Sequence, residues 1–307
     1  MTLLHLVGHD GSPHGDDALA LARAIGTGRD VRRVLVHVLP GTAPTEVAGE
    51  AWIRALETAA GERVERMRGT LADDEVLDVV TAVSPARGLH DLAEGWSAEL
   101  VVVGEGRGPV NPLHLPVGSV TSSLLCGGPC AVAHAPAGYA RNAHQMARLV
   151  VGFDGSDESR DALIVAAELA GALEAVVDVV YAYDHTGFPR FPGTVAEAEV
   201  AAERLAAEGL AMMPEAVRGL SASRSGTPGA VIAACADDQR ADMIVMGSRG
   251  YGPIRRTLLG STGSRVLHQA RRPVLLLPRG PRQSALGGDS AGVAPARSTI
   301  DHEAAVR

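Results

Sequence analysis

The chain has 307 residues, a formal net charge of -8, 46% hydrophobic residues and only 3% aromatic ones. It carries no block of basic residues with interleaved aromatics, so nucleic-acid binding has no electrostatic support. Its 28 Lys/Arg positions are all Arg, which removes chemistry that needs a lysine, such as a Schiff base or a Walker-type phosphate loop.

The first half alternates short apolar runs with helix-like stretches. Leu3 to Gly8 reads as a buried strand, and Ser12 with Pro13 opens a helix that runs to Ile25. Val31 to Val38 is the second strand, and Pro44 to Arg68 a long helix. Leu77 to Val83 is the third strand, Pro85 to Gly95 a short helix, and Leu100 to Val103 the fourth strand. Gly118 to Leu125 is a helix and Cys130 to Ala133 the fifth strand. The second half repeats this order. Its strands are Leu149 to Phe153, Val176 to Tyr183, Ala216 to Ala222, Met243 to Met246 and Val274 to Leu277. Its helices are Ser156 to Leu173, Thr194 to Met212, Pro228 to Asp238 and Gly260 to Gln269. Such alternation predicts α/β architecture, with two tandem doubly wound, parallel five-stranded sheets. The expected division is a first domain over 1–137, a linker over 138–147, a second domain over 148–280 and a disordered tail over 281–307. Cys126, Cys130 and Cys235 form no disulfide framework, and neither a signal peptide nor a membrane span is visible. The expected location is the cytoplasm.

The halves also share motifs. Val7-Gly8-His9-Asp10-Gly11-Ser12 opens the first and Val151-Gly152-Phe153-Asp154-Gly155-Ser156 the second. Late in each half, glycines follow an apolar run and precede Gly-Ser at a helix start. These are Gly104, Gly108 and Gly118-Ser119 in the first, and Gly247, Gly250 and Gly260-Ser261 in the second. Glycines allow close backbone approach, and free amides at a helix N-terminus face an anion, so this pattern suits phosphate. Both motifs fall at the carboxyl ends of the expected strands, where open parallel sheets bind ligands.

Gly247-x2-Gly250-x9-Gly260-Ser261, with Asp154, Gly226-Thr227-Pro228, Asp242 and Arg272-Pro273-Val274 in order, resembles the nucleotide-binding signature of the universal stress protein family. The resemblance covers nearly the whole chain, as two such domains in tandem, and implies the family's adenine nucleotide α-hydrolase-like fold. It implies ATP as ligand, with or without Mg²⁺. Asp154 and Gly155 would border the adenosine pocket, and Ala182 would face the base through its backbone. Met246, Gly247 and Gly250 would allow close approach of the phosphates. Gly260, Ser261, Thr262 and Gly263 would offer amides and hydroxyls, and Arg249 would neutralise charge. The matching first-half positions are Asp10, Gly11, Val38, Gly104, Arg107, Gly108, Gly118 and Ser119.

That first half departs from the pattern: three residues rather than two separate Gly104 from Gly108. The family interval lands on Glu105, whose carboxylate would repel a triphosphate. Asp10 and Asp154 read as acceptors for ribose hydroxyls or loop amides rather than as bases, because no second carboxylate is linked to either by motif. His5, His37 and His134 lack metal-ligand spacing and read as satisfied core histidines. By resemblance the fifth strands, as exposed edges, pair within the chain to form a pseudo-dimer, and two chains can associate further. The functional expectation is a cytosolic ATP-binding regulator with an unidentified protein partner. The alternatives are a nucleotide-free interaction scaffold and a slow ATPase or phosphoryl-transfer enzyme.

Overall fold

The computed structural model describes residues 2–40, 50–106, 119–125, 128–183, 195–248 and 260–278. The first lobe runs β1 (Leu3–Gly8), α1 (Pro13–Ile25), β2 (Val31–Pro40), α2 (Glu50–Arg68), β3 (Glu75–Ala82), α3 (Pro85–Gly95), β4 (Leu100–Gly104), α4 (Ser119–Leu125) and β5 (Ala131–Ala135). A short helix, α5 (Tyr139–Asn142), lies in the connection. The second lobe runs β6 (Arg148–Gly152), α6 (Asp157–Leu173), β7 (Val176–Tyr183), α7 (Val195–Ala211), a 3₁₀ turn (Glu215–Val217) and β8 (Arg218–Ser225). It continues with α8 (Pro228–Asp238), β9 (Met243–Gly247), α9 (Ser261–Gln269) and β10 (Val274–Leu277).

The ten strands form one sheet in the order β3-β2-β1-β4-β5-β10-β9-β6-β7-β8. Within each lobe every pairing is parallel, as short apolar runs joined by helical crossovers require. At the seam β5 and β10 pair antiparallel, with Ala133 opposite Leu275 and Val132 opposite Leu276. The fifth strands thus cover each other's edges. Successive side chains of a strand face opposite sides, so the seam feeds both cores. Ala133 and Leu275 join the cluster that packs under α1 and α6, with Leu21, Ile25, Leu163 and Leu169. Val132 and Leu276 join the other, with Leu89 of α3, Leu124 of α4, Ile232 of α8 and Val266 of α9. Leu275 and Leu276 are both fully buried, and each such side chain contributes about 1.5–3 kcal/mol.

Two helix starts carry side-chain caps, whereas Ser12 at α1 and Thr227 at α8 make no side-chain cap bond and are followed by a proline in the first turn. Ser156 Oγ accepts the Ser159 amide at 3.2 Å and Ser84 Oγ that of Arg87 at 3.2 Å. Several boundaries differ from the sequence pattern, and three have a clear physical reason. β3 begins at Glu75, a buried carboxylate held by Arg23 Nε at 2.8 Å and Nη2 at 2.6 Å, which hydropathy does not flag. Ala216 and Val217 lie in a 3₁₀ turn, and β8 starts after them at Arg218. β5 runs to Ala135, two residues past the apolar run's expected end, because His134 pairs with Val274 across the seam.

The connection is held from both lobes. Asp17 accepts the amides of Gly138 and Ala140, each at 2.8 Å, and Glu105 accepts that of Ala137 at 2.9 Å. Asp242 accepts those of Ala147 (2.7 Å) and Arg148 (2.9 Å) and lies 2.7 Å from His144 Nε2. Among the described residues no helix is long and apolar enough to cross a membrane.

Candidate functional site

In the second lobe the chain proceeds from β6 outward to β7 and β8, then returns to β9 and β10 on the other side. The carboxyl ends of the neighbouring strands β6 and β9 therefore flank a topological switch point, the place where such sheets leave a crevice. Asp154 leaves β6 there. Its Oδ1 accepts the Ser156 amide at 3.0 Å and the Ser156 hydroxyl, which shapes a tight turn. Gly155 takes φ +80 at the turn's centre, a conformation that side chains with a Cβ resist. On the β9 side the Ser248 carbonyl accepts the Gly260 amide at 3.1 Å, which sets the start of α9 against the strand end. The N-cap of α9 is Gly260, which has no side chain to take up the amides of Ser261, Thr262 and Gly263 in the first turn. Those amides and the positive end of the helix are what an anion requires.

Two of the glycines have a packing reason that precedes any ligand. A Cβ on Gly247 would stand 2.9 Å from Glu158 Cβ and 3.1 Å from the Glu158 carbonyl oxygen, at the start of α6. A Cβ on Gly104 would stand 1.9 Å from the His14 carbonyl oxygen. Both are filled by the protein's own first helix turn, so the close approach they allow is of helix to strand.

The first lobe repeats the arrangement at β1 and β4, with different chemistry. Asp10 Oδ1 accepts the Ser12 amide at 3.0 Å, and Gly11 takes φ +74. Where the second lobe has Phe153 packed on Gly209, the first has His9 packed on Gly15. The Gly11 amide donates to His9 Nδ1 at 3.0 Å, and His9 Nε2 lies 3.3 Å from Asp16 Oδ1. Burial holds the His9 pKa below the ordinary imidazole value, against the pull of Asp16 and Asp10. Glu105 turns to the Ala137 amide, so the carboxylate expected to face a phosphate is engaged with the connection instead.

The profile of the universal stress protein family matches residues 5–136 and again residues 146–278. The chain belongs to the universal stress protein family. A universal stress protein of Mycobacterium tuberculosis is 30% identical over 291 residues, covering 88% of this chain and 95% of the relative. One from Mycolicibacterium smegmatis is 31% identical over 291 residues, covering 89% and 96%. A universal stress protein of Thermus aquaticus is 35% identical over 133 residues, which is 42% of this chain and 96% of that one. The crystal structure of a universal stress protein from Archaeoglobus fulgidus covers 90% of this chain and 98% of its own, with a TM-score of 0.60 at 19% identity, a likeness of fold.

In this universal stress protein, Asp154, Gly155, Met246, Gly247, Gly260, Ser261, Thr262 and Gly263 lie at the carboxyl end of the second lobe's sheet, at β6, β9 and α9. Ala182 lies on β7, beside β6. Asp10, Gly11, Val38 and Gly104 occupy the matching strand ends of the first lobe, and Ser119 begins α4. Arg249 and Gly250, like Arg107, Gly108 and Gly118, lie outside the described residues. Among the described residues no group of three or more His, Cys, Asp or Glu is placed to hold a metal ion.

Sequence reasoning missed Gly229, where a Cβ would stand 2.9 Å from the Thr262 carbonyl oxygen and 2.7 Å from Arg265 Cβ. It lets the first turns of α8 and α9 cross closely, and its only sequence signal is the residue after Thr227-Pro228. The core histidines divide. His37 Nδ1 donates to the His9 carbonyl at 2.8 Å, and His134 Nδ1 lies 3.3 Å from Thr121 Oγ1. His5, expected to be satisfied, has neither ring nitrogen in a hydrogen bond. It sits mid-strand in β1 between Arg33 of β2 and Leu100 of β4, neither of which bonds its ring.

Proposed function

We propose that the chain binds an adenine nucleotide, ATP in particular, at the switch point of its second lobe, and acts as a nucleotide-dependent regulator. The observation that carries this reading is the placement of the Asp154–Ser156 turn and the glycine-capped start of α9 on neighbouring strand ends. Amides of Ser261, Thr262 and Gly263 would hold the phosphates. Asp154 would accept from the ribose hydroxyls with the oxygen capacity its turn leaves over. The Ala182 backbone would meet the base, Met246 and Gly247 would border the ligand at the end of β9, and Arg249 would add charge neutralisation. Family membership supports the same ligand. A nucleotide that bridges the β6 turn and the α9 start favours one arrangement of that end of the lobe, and a protein partner can read the difference.

Equilibrium dialysis of the intact chain with ATP tests the reading, alongside Ser261→Glu. Ser261 is exposed in the first turn of α9, where a carboxylate suits the helix dipole, so the variant folds. The same carboxylate repels phosphate, and at short range the loss should be about tenfold or more in Kd. No saturable binding by the parent chain, or equal binding by the variant, rejects the proposal.

A further inference from the structure

The two lobes form the same main-chain turn with different locks. The His9 amide donates to the Val36 carbonyl at 3.0 Å and the Phe153 amide to that of Val180 at 2.9 Å, so the two residues are structural equivalents. Beyond that point they part. Phe153 faces Gly209 of α7 and carries the Arg160 guanidinium 6.0 Å from its ring centre. His9 faces α1, where a Cβ on Gly15 would stand 2.4 Å from its Nδ1, so the ring has one seat. The residue that follows each packing position by the same interval changes in step: Arg160 beside the benzene ring, Asp16 beside the imidazole.

The tautomer follows from the contacts. Gly11 N–H donates to Nδ1 at 3.0 Å, so Nδ1 is bare and the ring hydrogen sits on Nε2, facing Asp16. His37 Nδ1–H donates to the His9 carbonyl, which fixes the backbone on the other side. We propose that His9 is a proton switch for the first lobe's turn: a proton on Nδ1 sets donor against donor at Gly11 and releases the Asp10–Gly11–Ser12 turn. The second lobe has no such switch, because Phe153 does not titrate.

The groups facing His9 set the direction. Burial and His37 of β2 oppose the imidazolium, while Asp16 of α1 and Asp10 of the turn favour it, and burial prevails. From α2, Arg66 Nη1 donates to the Gly11 carbonyl at 3.3 Å and the Arg63 stem packs on Gly11, adding two cations near the turn. Asp17 of α1 is turned to the connection. The turn is therefore closed at neutral pH and opens as the pH falls below the ordinary imidazole range.

An NMR titration of the full-length protein tests this without any nucleotide. The His9 ring carbons and the Gly11 amide should move with one midpoint, and Gly155 should stay still. Below that midpoint the Gly11 amide, corrected for intrinsic exchange, should be about tenfold less protected, as expected for one lost hydrogen bond. Asp16→Asn should carry both midpoints to lower pH together, and His9→Phe should leave Gly11 flat. Three results overturn the proposal: Gly11 stays flat while His9 titrates, Asp16→Asn moves one midpoint without the other, or the fold is lost before His9 takes up a proton.

Discussion

Replacing His5 by Leu should remove a large part of the chain's sensitivity to acid. His5 is fully buried in β1, neither ring nitrogen has a hydrogen-bond partner, and burial with the nearby Arg29 and Arg33 pushes its pKa from 6.5 down to about 3. In the unfolded chain the same imidazole titrates near 6.5. A folded pKa below the unfolded one stabilises fully above pH 6.5, and that stability is lost as the pH falls from 6.5 toward 3. At pH 5 the unfolded His5 is almost wholly protonated and the folded one neutral, which costs the native state about 2 kcal/mol relative to neutral pH. Leu fills a similar volume and has no proton to take. Urea unfolding of the parent and His5→Leu at pH 7.5 and pH 5 measures four stabilities. The parent should lose about 2 kcal/mol more than the variant between the two pH values. The variant should also start more stable, because unpaired buried polar atoms cost about 1–3 kcal/mol. Equal losses in the two proteins would show that His5 stays neutral in both states or finds a partner, and the reasoning would fail.

Other substitutions probe the joints between the lobes. Gly28→Ala should lower the urea midpoint by an amount worth about 2 kcal/mol or more, because Gly28 has φ +73 and its Cβ would stand 2.4 Å from the Ala172 carbonyl oxygen of α6. Asp242→Asn should return the His144 pKa toward that of a free imidazole, read by NMR. His144 is raised by its hydrogen bonds to the Asn142 carbonyl and Asp242, so the parent's extra stability is present below 6.5 and lost as pH rises through the folded value. In a Cys126→Ser background, Cys130 and Cys235 should resist a thiol reagent at pH 8 until urea unfolds the chain, since both are buried and burial pushes Cys130 up to about 12.

The strands were legible where they are buried on both faces. Leu100 to Val103 and Val274 to Leu277 are unbroken apolar runs because helices cover both sides. β8 was misplaced because it is an edge strand: Arg218-Gly219-Leu220-Ser221 gives no apolar pattern, whereas Ala216-Val217 does and is a 3₁₀ turn. Its anchor is Asp178 of β7, which accepts the Leu220 amide at 2.7 Å and binds Arg148, a contact between residues far apart in sequence. The glycines show a different limit. Gly104 and Gly247 announce that something must come close, but only the fold reveals that the visitor is the start of α1 or α6. Glu105 stands where the family interval would place a glycine, and its neighbour in the fold, the Ala137 amide, depends on a turn 32 residues away.

The seam between β5 and β10 reverses chain direction. Every strand of one half therefore ends where those of the other half begin, and the crevices beside β1 and β6 look out from opposite rims of a single slab. Two ligands held there could never meet, so any message between them must travel through the slab or along the strap of residues 136–147. A partner that reads both at once has to reach around the molecule.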